Sequence, residues 1–509
     1  MNEYIKRVVT SAVALGLAAC SSQSLSPVGA VTKSEILEQQ EPLRASLSLG
    51  EAMARATLYN LDNRVQMMEH VIASGNADLE HFNMLPQLAL NAGYFKRDRE
   101  DLSSSKNAIT GLASPATGTS SDREQVVGSL GETWSMLDLG IALVRSKQLQ
   151  AREQAAQQRQ RQSLQNILSE TRYAFAKATI AQHTKKQVDA MLNEINVALA
   201  DQQQVEQAGV LAPLDILRQQ RNLLAVYNEL LTLRQSLVSA ERELNALISF
   251  APGIDVALEP QAARAVPEPL RLNSKELETL EMSALLMHPE LRIADSEVLV
   301  HQREIRRTLL SMLPDLELGT VGHYTSNDFS VQSVYNNLSA RVTHNLLNLY
   351  RWPVQKRHDQ VRLELEEEKR LALSLAVVTK VHVAVAHFNA LRDEYAFASK
   401  EVIARSELAE TVSARYQAGE ATLHERLTAQ LFALDARLNA QLLAADMHNA
   451  IGQIYTNVGI DTLPQTARTE GLAELAALLQ ARVEEFDDVN ENLIPMAVNK
   501  AIVVNLAGS

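Results

Sequence analysis

The spacing of apolar residues changes from a helical period to a period of two at two matching places in the chain. Each change follows a Leu-Pro pair, Leu85-Pro86 in the first half and Leu313-Pro314 in the second. Proline ends a helix, and strict alternation of apolar and polar side chains is typical of a strand with two different faces. In Gln87–Tyr94 every second residue is leucine, alanine or tyrosine. The pattern therefore predicts two long helices, each followed by a strand.

The two halves are copies of one unit. The segment from Leu85 to Leu90 returns as Leu313 to Leu318 at an offset of 228 residues. A second matched pair, 207–217 and 417–427, contains an Ala-Gly step and has an offset of 210 residues. The first half is thus 18 residues longer between its two motifs. Extra length of this kind belongs in an exposed loop, and a repeat of this size indicates one body built from two similar halves.

The same pattern gives the expected elements of both halves. Two stretches of about 70 residues without glycine or proline predict helices too long to pack inside a globule. Each is expected to be followed, after the Ala-Gly bend, by a shorter return helix. The predicted helices are 47–82, 140–209, 213–249, 274–311, 353–419, 423–451 and a short amphipathic segment at 472–483; the predicted strands are 87–94, 125–136, 315–324 and 330–343; residues 96–123 are predicted to be a polar loop.

Composition and charge narrow the function. Aromatic residues are only 4% of the chain, and the net charge is −13. A negative chain without a basic stripe argues against binding to nucleic acid. No nucleophile elbow, phosphate-binding loop or zinc-protease motif is present. His382 and His387 are five residues apart, which places them poorly for one metal ion on a helix. We expect no catalytic residue, no metal site and no cofactor.

The N-terminus resembles the signal of a bacterial lipoprotein. A short cationic region at Lys6-Arg7 precedes an apolar run, and Ala18-Ala19 stand directly before Cys20. A cysteine in this place would carry a lipid after cleavage of residues 1–19. Cys20 is the only cysteine, so it cannot form a disulfide within the chain. The alternative is an ordinary signal peptide with an incidental cysteine. Beyond it we expect no stretch of about 18 apolar residues and hence no membrane-spanning helix.

The four predicted strands imply an oligomer. Each has about the 9–11 residues that a strand needs to cross a bilayer. Four strands cannot close a barrel, and an open edge would leave backbone groups unpaired in lipid. Three chains would supply roughly twelve strands, which is within the known range. The alternative is a small soluble sheet at the end of a helical rod.

The predicted organisation is a signal peptide, a lipidated tether, two structural repeats joined by a linker, and a tail. The predicted bounds are 1–19 for the signal peptide, 20–46 for the tether, 47–252 for the first repeat, 253–272 for the linker, 273–460 for the second repeat and 461–509 for the tail. The tail is expected to pack against the outside of the helices.

Together, the Leu-Pro strand entries, the Ala-Gly bends and the long helices resemble the TolC-like outer membrane efflux family, and the N-terminus resembles its lipoprotein members. The resemblance covers about residues 45–460. It implies a mostly α fold with a small β part, in which duplicated helix hairpins form an α-helical barrel and four strands per chain join a shared transmembrane β-barrel. It also implies a homotrimer in outer membrane lipid that works with a periplasmic adaptor and an inner-membrane pump.

The resemblance assigns roles to residues at the two bends. Asp215 and Glu425 would form rings of carboxylates that narrow the pore; the alternative is that each favours the dipole at its own helix N-terminus. The residues flanking the second bend would hold a closed state, with ordinary surface pairing as the alternative: Arg415, Tyr416 and Glu420. The two Ala-Gly steps would let an adaptor approach, although turn geometry alone explains the glycines: Ala208, Gly209, Ala418 and Gly419.

The function implied is that of a passive exit duct for small molecules passed on by a pump. The competing hypothesis is a lipid-anchored helical scaffold or adaptor that conducts nothing. The two strand pairs of bilayer length favour the duct, since a rod has no use for them.

Overall fold

A computed structural model describes residues 41–42, 46–208, 213–250, 254–259, 270–463, 471–487 and 489–507. These residues form ten helices and six strands. In chain order they are α1 Leu49–Tyr59, α2 Leu61–Phe82, β1 Gln87–Lys96, β2 Ser103–Lys106, β3 Ala113–Gly118, β4 Glu124–Ser135, α3 Met136–Ala208, α4 Pro213–Leu247, α5 Ser274–Met287, α6 Pro289–Leu310, β5 Asp315–Thr325, β6 Val334–Thr343, α7 Asn348–Gln417, α8 Leu423–Val458, α9 Leu472–Asp487 and α10 Val489–Ala507. The mostly α fold with a small β part is confirmed, and so are both long helices.

The chain divides into two compact units. The first, here called the sheet unit, contains Ile72–Glu153 and Glu297–Glu366, and the second, the helical unit, contains Val31–Val71, Gln154–Ser296 and Glu367–Ser509. The sheet unit is built around four antiparallel strands in the order β1-β4-β5-β6. The two predicted hairpins therefore lie side by side, joined through β4 and β5, and strands β1 and β6 are the edges of the sheet.

The register gives the sheet one apolar and one polar face. Leu88 lies opposite Glu132, Leu90 opposite Leu130, and Trp134 opposite Leu318. The apolar face consists of Leu88, Leu90, Ala92, Tyr94, Val126, Gly128, Leu130, Glu132, Trp134, Leu316, Leu318, Thr320, Gly322, Tyr324, Val334, Asn336, Leu338, Ala340 and Val342. The other face includes a hydrogen bond between Asn91 and Ser129, and His323 stacked on Tyr335. Leu338 is 90% exposed in the single chain.

The prediction that residues 96–123 form a polar loop is partly wrong. The loop contains a second, two-stranded antiparallel sheet, in which β2 pairs with β3. Its strands consist of serine, alanine, threonine, proline, glycine and lysine, so they lack the apolar alternation that predicts strands. The base of the loop is tied to the loop of the second hairpin, where the Asn327 side chain accepts from Asp122 N–H at 3.0 Å and donates to Ser120 at 2.9 Å.

Two of the hydrophobic cores in the helical unit are equivalent, one in each repeat. The first includes Met53 of α1, Phe175 of α3 and Leu479 of α9. The second includes Leu280 of α5 and Phe388 of α7, together with residues of α9 and α10. The tail is therefore part of both cores: α9 packs on α1, and α10 packs on the equivalent helix α5.

The first predicted helix, 47–82, is in fact two helices that meet at Asn60. The Asn60 side chain accepts from the N–H groups of Asp62 and Asn63 and donates to Leu247 O at 3.0 Å. Ser249, with a positive φ of 59°, donates from its hydroxyl to Tyr59 O at 3.0 Å. We call this arrangement the first joint. Every side chain in it is a neutral amide or hydroxyl.

The predicted helix 274–311 is interrupted at the matching place, His288. Its ring Nδ1 accepts from Glu290 N–H at 3.3 Å. The Arg161 guanidinium donates to Met287 O at 2.9 Å and to Gly459 O at 2.6 Å, and it forms an ion pair with Asp461 at 2.7 Å. We call this arrangement the second joint. Alignment of Asn60–Val65 with His288–Ile293 marks the start of a helix in both halves, which the helical period alone does not reveal.

One long helix contains a stretch that is mainly apolar, although it is not an uninterrupted apolar run. Within the described residues, the helix Asn348–Gln417 contains an 18-residue stretch long and apolar enough, by composition alone, to cross a membrane, and 22% of that stretch is buried. A search for uninterrupted apolar runs does not find this stretch, because polar side chains such as Lys380 interrupt it. Apolar exposed side chains are typical of a surface that another chain or a lipid covers.

Candidate functional site

The second helix bend is closed by backbone hydrogen bonds and one glycine. After α7 ends, Gly419 N–H donates to Tyr416 O at 3.0 Å and Glu420 N–H donates to Arg415 O at 2.8 Å. Gly419 has a φ of 78°, a left-handed conformation that only glycine adopts without strain. Its open surroundings would accept a side chain. The turn itself thus explains this glycine, and a docking role for Ala418-Gly419 stays a prediction.

Glu425 caps the helix that follows the bend. Thr422 is the N-cap of α8; its side chain accepts from Glu425 N–H, and the Glu425 carboxylate accepts from Thr422 N–H at 2.7 Å and from its hydroxyl at 2.9 Å. These bonds, the backbone one first, hold the pKa of the Glu425 carboxyl below its ordinary value. This geometry supports the helix N-terminal role offered as the alternative. A ring of such carboxylates in an oligomer stays a prediction.

Arg415 and Glu420 face each other across the turn. Their nearest side-chain atoms are 3.9 Å apart, and both side chains are well exposed. An exposed ion pair of this length contributes about 0.5 kcal/mol or less. By itself this pair is weak, which favours the surface-pairing interpretation for these two residues.

Tyr416 belongs to a stronger set of contacts that the sequence does not reveal. The guanidinium of Arg426 lies 4.7 Å from the centre of the Tyr416 ring. Arg426 also forms an ion pair with Glu194 of α3, and its side chain is 16% exposed. A shielded guanidinium between an aromatic ring and a carboxylate is held more firmly than an exposed pair. The set joins the bend of the second repeat to the long helix of the first.

Alignment of the two repeats shows that Arg426 stands at a position that is buried and apolar in the first repeat. At the offset of 210 residues, Arg426 corresponds to Ile216, which is buried in α4. A charged residue at a core position of the repeat needs a partner, here Glu194. At the first bend, Ala208 ends α3 and Asp215 lies in the first turn of α4. Gly209 and the side chain of Asp215 lie outside the described part of the chain.

The remaining residues considered in the sequence are the histidines of α7 and Cys20. In the described ranges there is no group of three or more His, Cys, Asp or Glu side chains that could hold a metal ion. His382 lies 2.8 Å from a carboxylate oxygen of Glu281, a contact between α7 and α5. Cys20 and the lipidation predicted there fall outside the described residues.

Comparison with known proteins agrees with the architecture. Residues 54–249 match the model of the outer membrane efflux protein family. No curated protein matches the chain at a significant level. The outer membrane channel CmeC of Campylobacter jejuni is similar in structure, with a TM-score of 0.64, 14% identity, and coverage of 92% of this chain and 98% of that one. The MtrE channel of Neisseria gonorrhoeae, solved in its open state, has a TM-score of 0.59 and 17% identity, with 81% and 89% covered.

VceC of Vibrio cholerae, an outer membrane protein, gives the same picture with a TM-score of 0.59, 16% identity, and coverage of 81% of this chain and 96% of that one. The family match lies within the first repeat, and the shared fold extends over both repeats. The first repeat therefore matches the outer membrane efflux protein family, and the chain as a whole has the fold of these outer membrane channels.

Proposed function

We propose that this protein is the passive exit duct of an efflux or secretion complex. Three copies share one transmembrane barrel made from their four-stranded sheets, and their helices form a conduit in the periplasm. A periplasmic adaptor and an inner-membrane pump deliver small molecules to the conduit, and the pump supplies the energy. The chain itself has no catalytic role in this proposal.

The main support for the proposed duct is the four-stranded sheet. Each edge strand pairs on one side only, β1 with β4 and β6 with β5, and its outer side pairs with no strand among the described residues. One face of the sheet is apolar along all four long strands. Open edges beside an apolar face are unstable in lipid unless further strands pair with them. Three copies in a ring would pair every edge and give about twelve strands.

An apolar groove in the helical unit supports several copies as well. Leu375 and Val383 of α7 line it together with His387, and Gln453 and Asn457 of α8 complete it. Leu375 is 70% exposed in the single chain. A contiguous exposed apolar surface is typical of a site where another chain binds. Packing against a second copy would bury them and close the helices into a ring.

The second bend is the proposed gate of the duct. Tyr416, Arg426 and Glu194 link helices of the two repeats, so opening at this bend would separate the guanidinium from one of its partners. Arg415 and Glu420 would add a weaker contact at the same turn. Adaptor docking at Ala418-Gly419, and at the equivalent Ala208-Gly209, follows from the resemblance. The lipid on Cys20 would anchor the chain in the outer membrane.

Single-channel recording in planar bilayers tests the duct and its gate together. The full-length wild-type protein is expected to give discrete conductance steps with a low open probability. Replacing Arg426→Met removes both contacts of the guanidinium and is expected to raise the ratio of open to closed time about tenfold, which corresponds to about 1.4 kcal/mol. The matched control is Arg437→Met, which changes an exposed arginine farther along α8.

The recordings test the duct and the gate separately. No conductance from correctly inserted wild-type protein would contradict the duct and leave the non-conducting scaffold as the better account. Conductance with an Arg426→Met variant that behaves like wild type would keep the duct and remove the gate from this bend.

A further inference from the structure

The apolar face of the sheet has aromatic residues near both of its ends. Tyr94 and Tyr324 lie toward the loops, and Trp134 lies at the opposite end, two residues before α3 begins. Aromatic side chains gather where the apolar core of a bilayer meets the headgroups. Tyr94 lies opposite Val126, so about eight residues of β4 separate the two belts, or roughly 27 Å along the strand.

One charged side chain lies inside this apolar band. Glu132 lies on the same face as Trp134, one strand period away from it, with Leu88 opposite on β1 and Thr320 opposite on β5. It is exposed in the single chain. It makes no hydrogen bond or ion pair within the described part of the chain. A carboxylate beside lipid is costly unless a counter-charge reaches it.

A second copy of the chain does not supply that counter-charge by extending the sheet. Glu132 is on β4, which is flanked on both sides by strands of its own chain. A copy that pairs with the edge strand β1 would bring its β6 alongside. The residues that β6 presents on the apolar face are all uncharged: Val334, Asn336, Leu338, Ala340 and Val342.

We propose that Glu132, together with Trp134 and Thr320, binds the headgroup of a phospholipid that ends in a primary ammonium. This inference rests on the proposed function, because it requires the apolar face of the sheet to lie in a bilayer. The site would be in the leaflet at the end of the sheet where α3 begins.

The chemistry of the three side chains fits an ammonium group. The carboxylate accepts hydrogen bonds from the ammonium N–H groups, and the pair is stronger at the edge of the apolar band than in water. The indole face of Trp134, about 7 Å away along the strand, attracts a cation through its ring electrons. The Thr320 hydroxyl can accept a further hydrogen bond. Leu88 and Leu130 offer apolar surface to the acyl chains.

The choice of an ammonium over other headgroups follows from charge and size. An anionic headgroup would be repelled by the Glu132 carboxylate. A trimethylated ammonium keeps its charge but has no N–H group to donate, so it would lose the hydrogen bonds to the carboxylate. The site should therefore rank phosphatidylethanolamine above phosphatidylcholine, and phosphatidylcholine above phosphatidylglycerol.

Native mass spectrometry of the full-length protein in mild detergent tests the site. Equal amounts of the three lipids with the same acyl chains are added, and the lipids retained on the protein are counted. We expect wild type to retain phosphatidylethanolamine over phosphatidylcholine about fivefold. Glu132→Gln keeps the shape of the side chain and should abolish this preference, and Glu132→Lys should favour phosphatidylglycerol. The matched control is Glu317→Gln, on the polar face of the sheet beside Arg341.

The spectra separate failure of this inference from failure of the proposed function. A trimer mass with no preference for phosphatidylethanolamine, or with a preference that Glu132→Gln retains, overturns the lipid site and leaves the duct in place. A monomer mass for the wild type under the same conditions counts against the proposed function itself. A preference lost equally in Glu317→Gln would show a general effect of charge and would also overturn the site.

Discussion

The first and second joints have the same backbone plan and different chemistry. Asn60 and His288 interrupt equivalent helices, and Ser249 and Gly459 occupy equivalent left-handed positions at the ends of α4 and α8. The first joint is held by neutral amide and hydroxyl groups. At the second joint, the mostly shielded Arg161 guanidinium and the buried Asp461 carboxylate tie α3 to the ends of α5 and α8.

This difference shows that duplication preserved the position of the helix break and left its side chains free to change. A neutral joint depends little on pH or salt, because nothing in it is charged. A buried ion pair is sensitive to loss of either partner, because the remaining charge is left in a poor environment. We therefore expect the second joint to be the more fragile of the two.

The largest effect should come from Arg161→Met. This change removes the ion pair to Asp461 and two hydrogen bonds to backbone carbonyl groups, and it leaves a buried carboxylate facing an apolar side chain. We expect a loss of about 3 kcal/mol of stability, measured as a lower midpoint of thermal denaturation in detergent. Arg152→Met, at an exposed position of the same helix, is the matched control. Equal midpoints for the two variants would contradict the account of the second joint.

Substitutions at the two residues with left-handed backbone, Gly459 and Ser249, should change the stability of the protein by different amounts. Gly459 has a φ of 87°, and a Cβ atom there would lie 2.8 Å from the Met287 carbonyl carbon. Gly459→Ser should therefore cost about 2 kcal/mol, whereas Ser249→Gly should change stability by about 1 kcal/mol or less. Thermal denaturation of the two variants measures both. A smaller loss for Gly459→Ser than for Ser249→Gly would reverse the comparison.

The pH dependence of the second joint should depend on His288. Burial, followed by the charges of Lys380 and Arg161, lowers the pKa of His288 to about 4, against the attraction of Glu290. The unfolded chain takes up a proton near pH 6.5 and the folded chain only near pH 4, so stability falls as the pH falls between these values. The loss is at most about 3 kcal/mol.

His288→Asn introduces the residue of the first joint and should remove this part of the pH dependence. The measurement is the midpoint of thermal denaturation at several values from pH 7.5 to pH 4.5 for wild type and variant. Curves of the same slope would show that other groups determine the acid sensitivity.

The smallest of these effects should come from the first joint. Asn60→Ala removes the cap of α2 and the hydrogen bond to Leu247 O, and it should cost about 1–2 kcal/mol with the same value at pH 7.5 and pH 5. The same denaturation assay checks both statements. A cost that grows toward acid pH would show that the first joint also depends on charge.

Much of the fold follows from the sequence because long periodic segments have few alternatives. The four sheet strands and the long helices were placed within a few residues, since alternation and the absence of glycine and proline both specify one type of structure. The breaks at Asn60 and His288 could not be found in this way, because the helical period continues across them. They depend on contacts with residues such as Leu247 and Arg161, which are distant in sequence.

The same distinction between local and long-range contacts applies to the candidate site. Gly419 and Glu425 were identifiable because turn and capping chemistry is local. Glu194 was not, because its ion pair with Arg426 joins residues 232 positions apart. The strands β2 and β3 were missed because serine-rich segments with no buried face have no periodic signal.

Electron cryomicroscopy of the full-length protein extracted in detergent would show whether the chain forms a duct. We expect a hollow particle with threefold symmetry, in which three four-stranded sheets close one barrel and the apolar face of each sheet lies in the detergent belt. A monomer, or a solid particle without a central passage, would contradict the exit duct and leave the non-conducting helical scaffold as the better explanation.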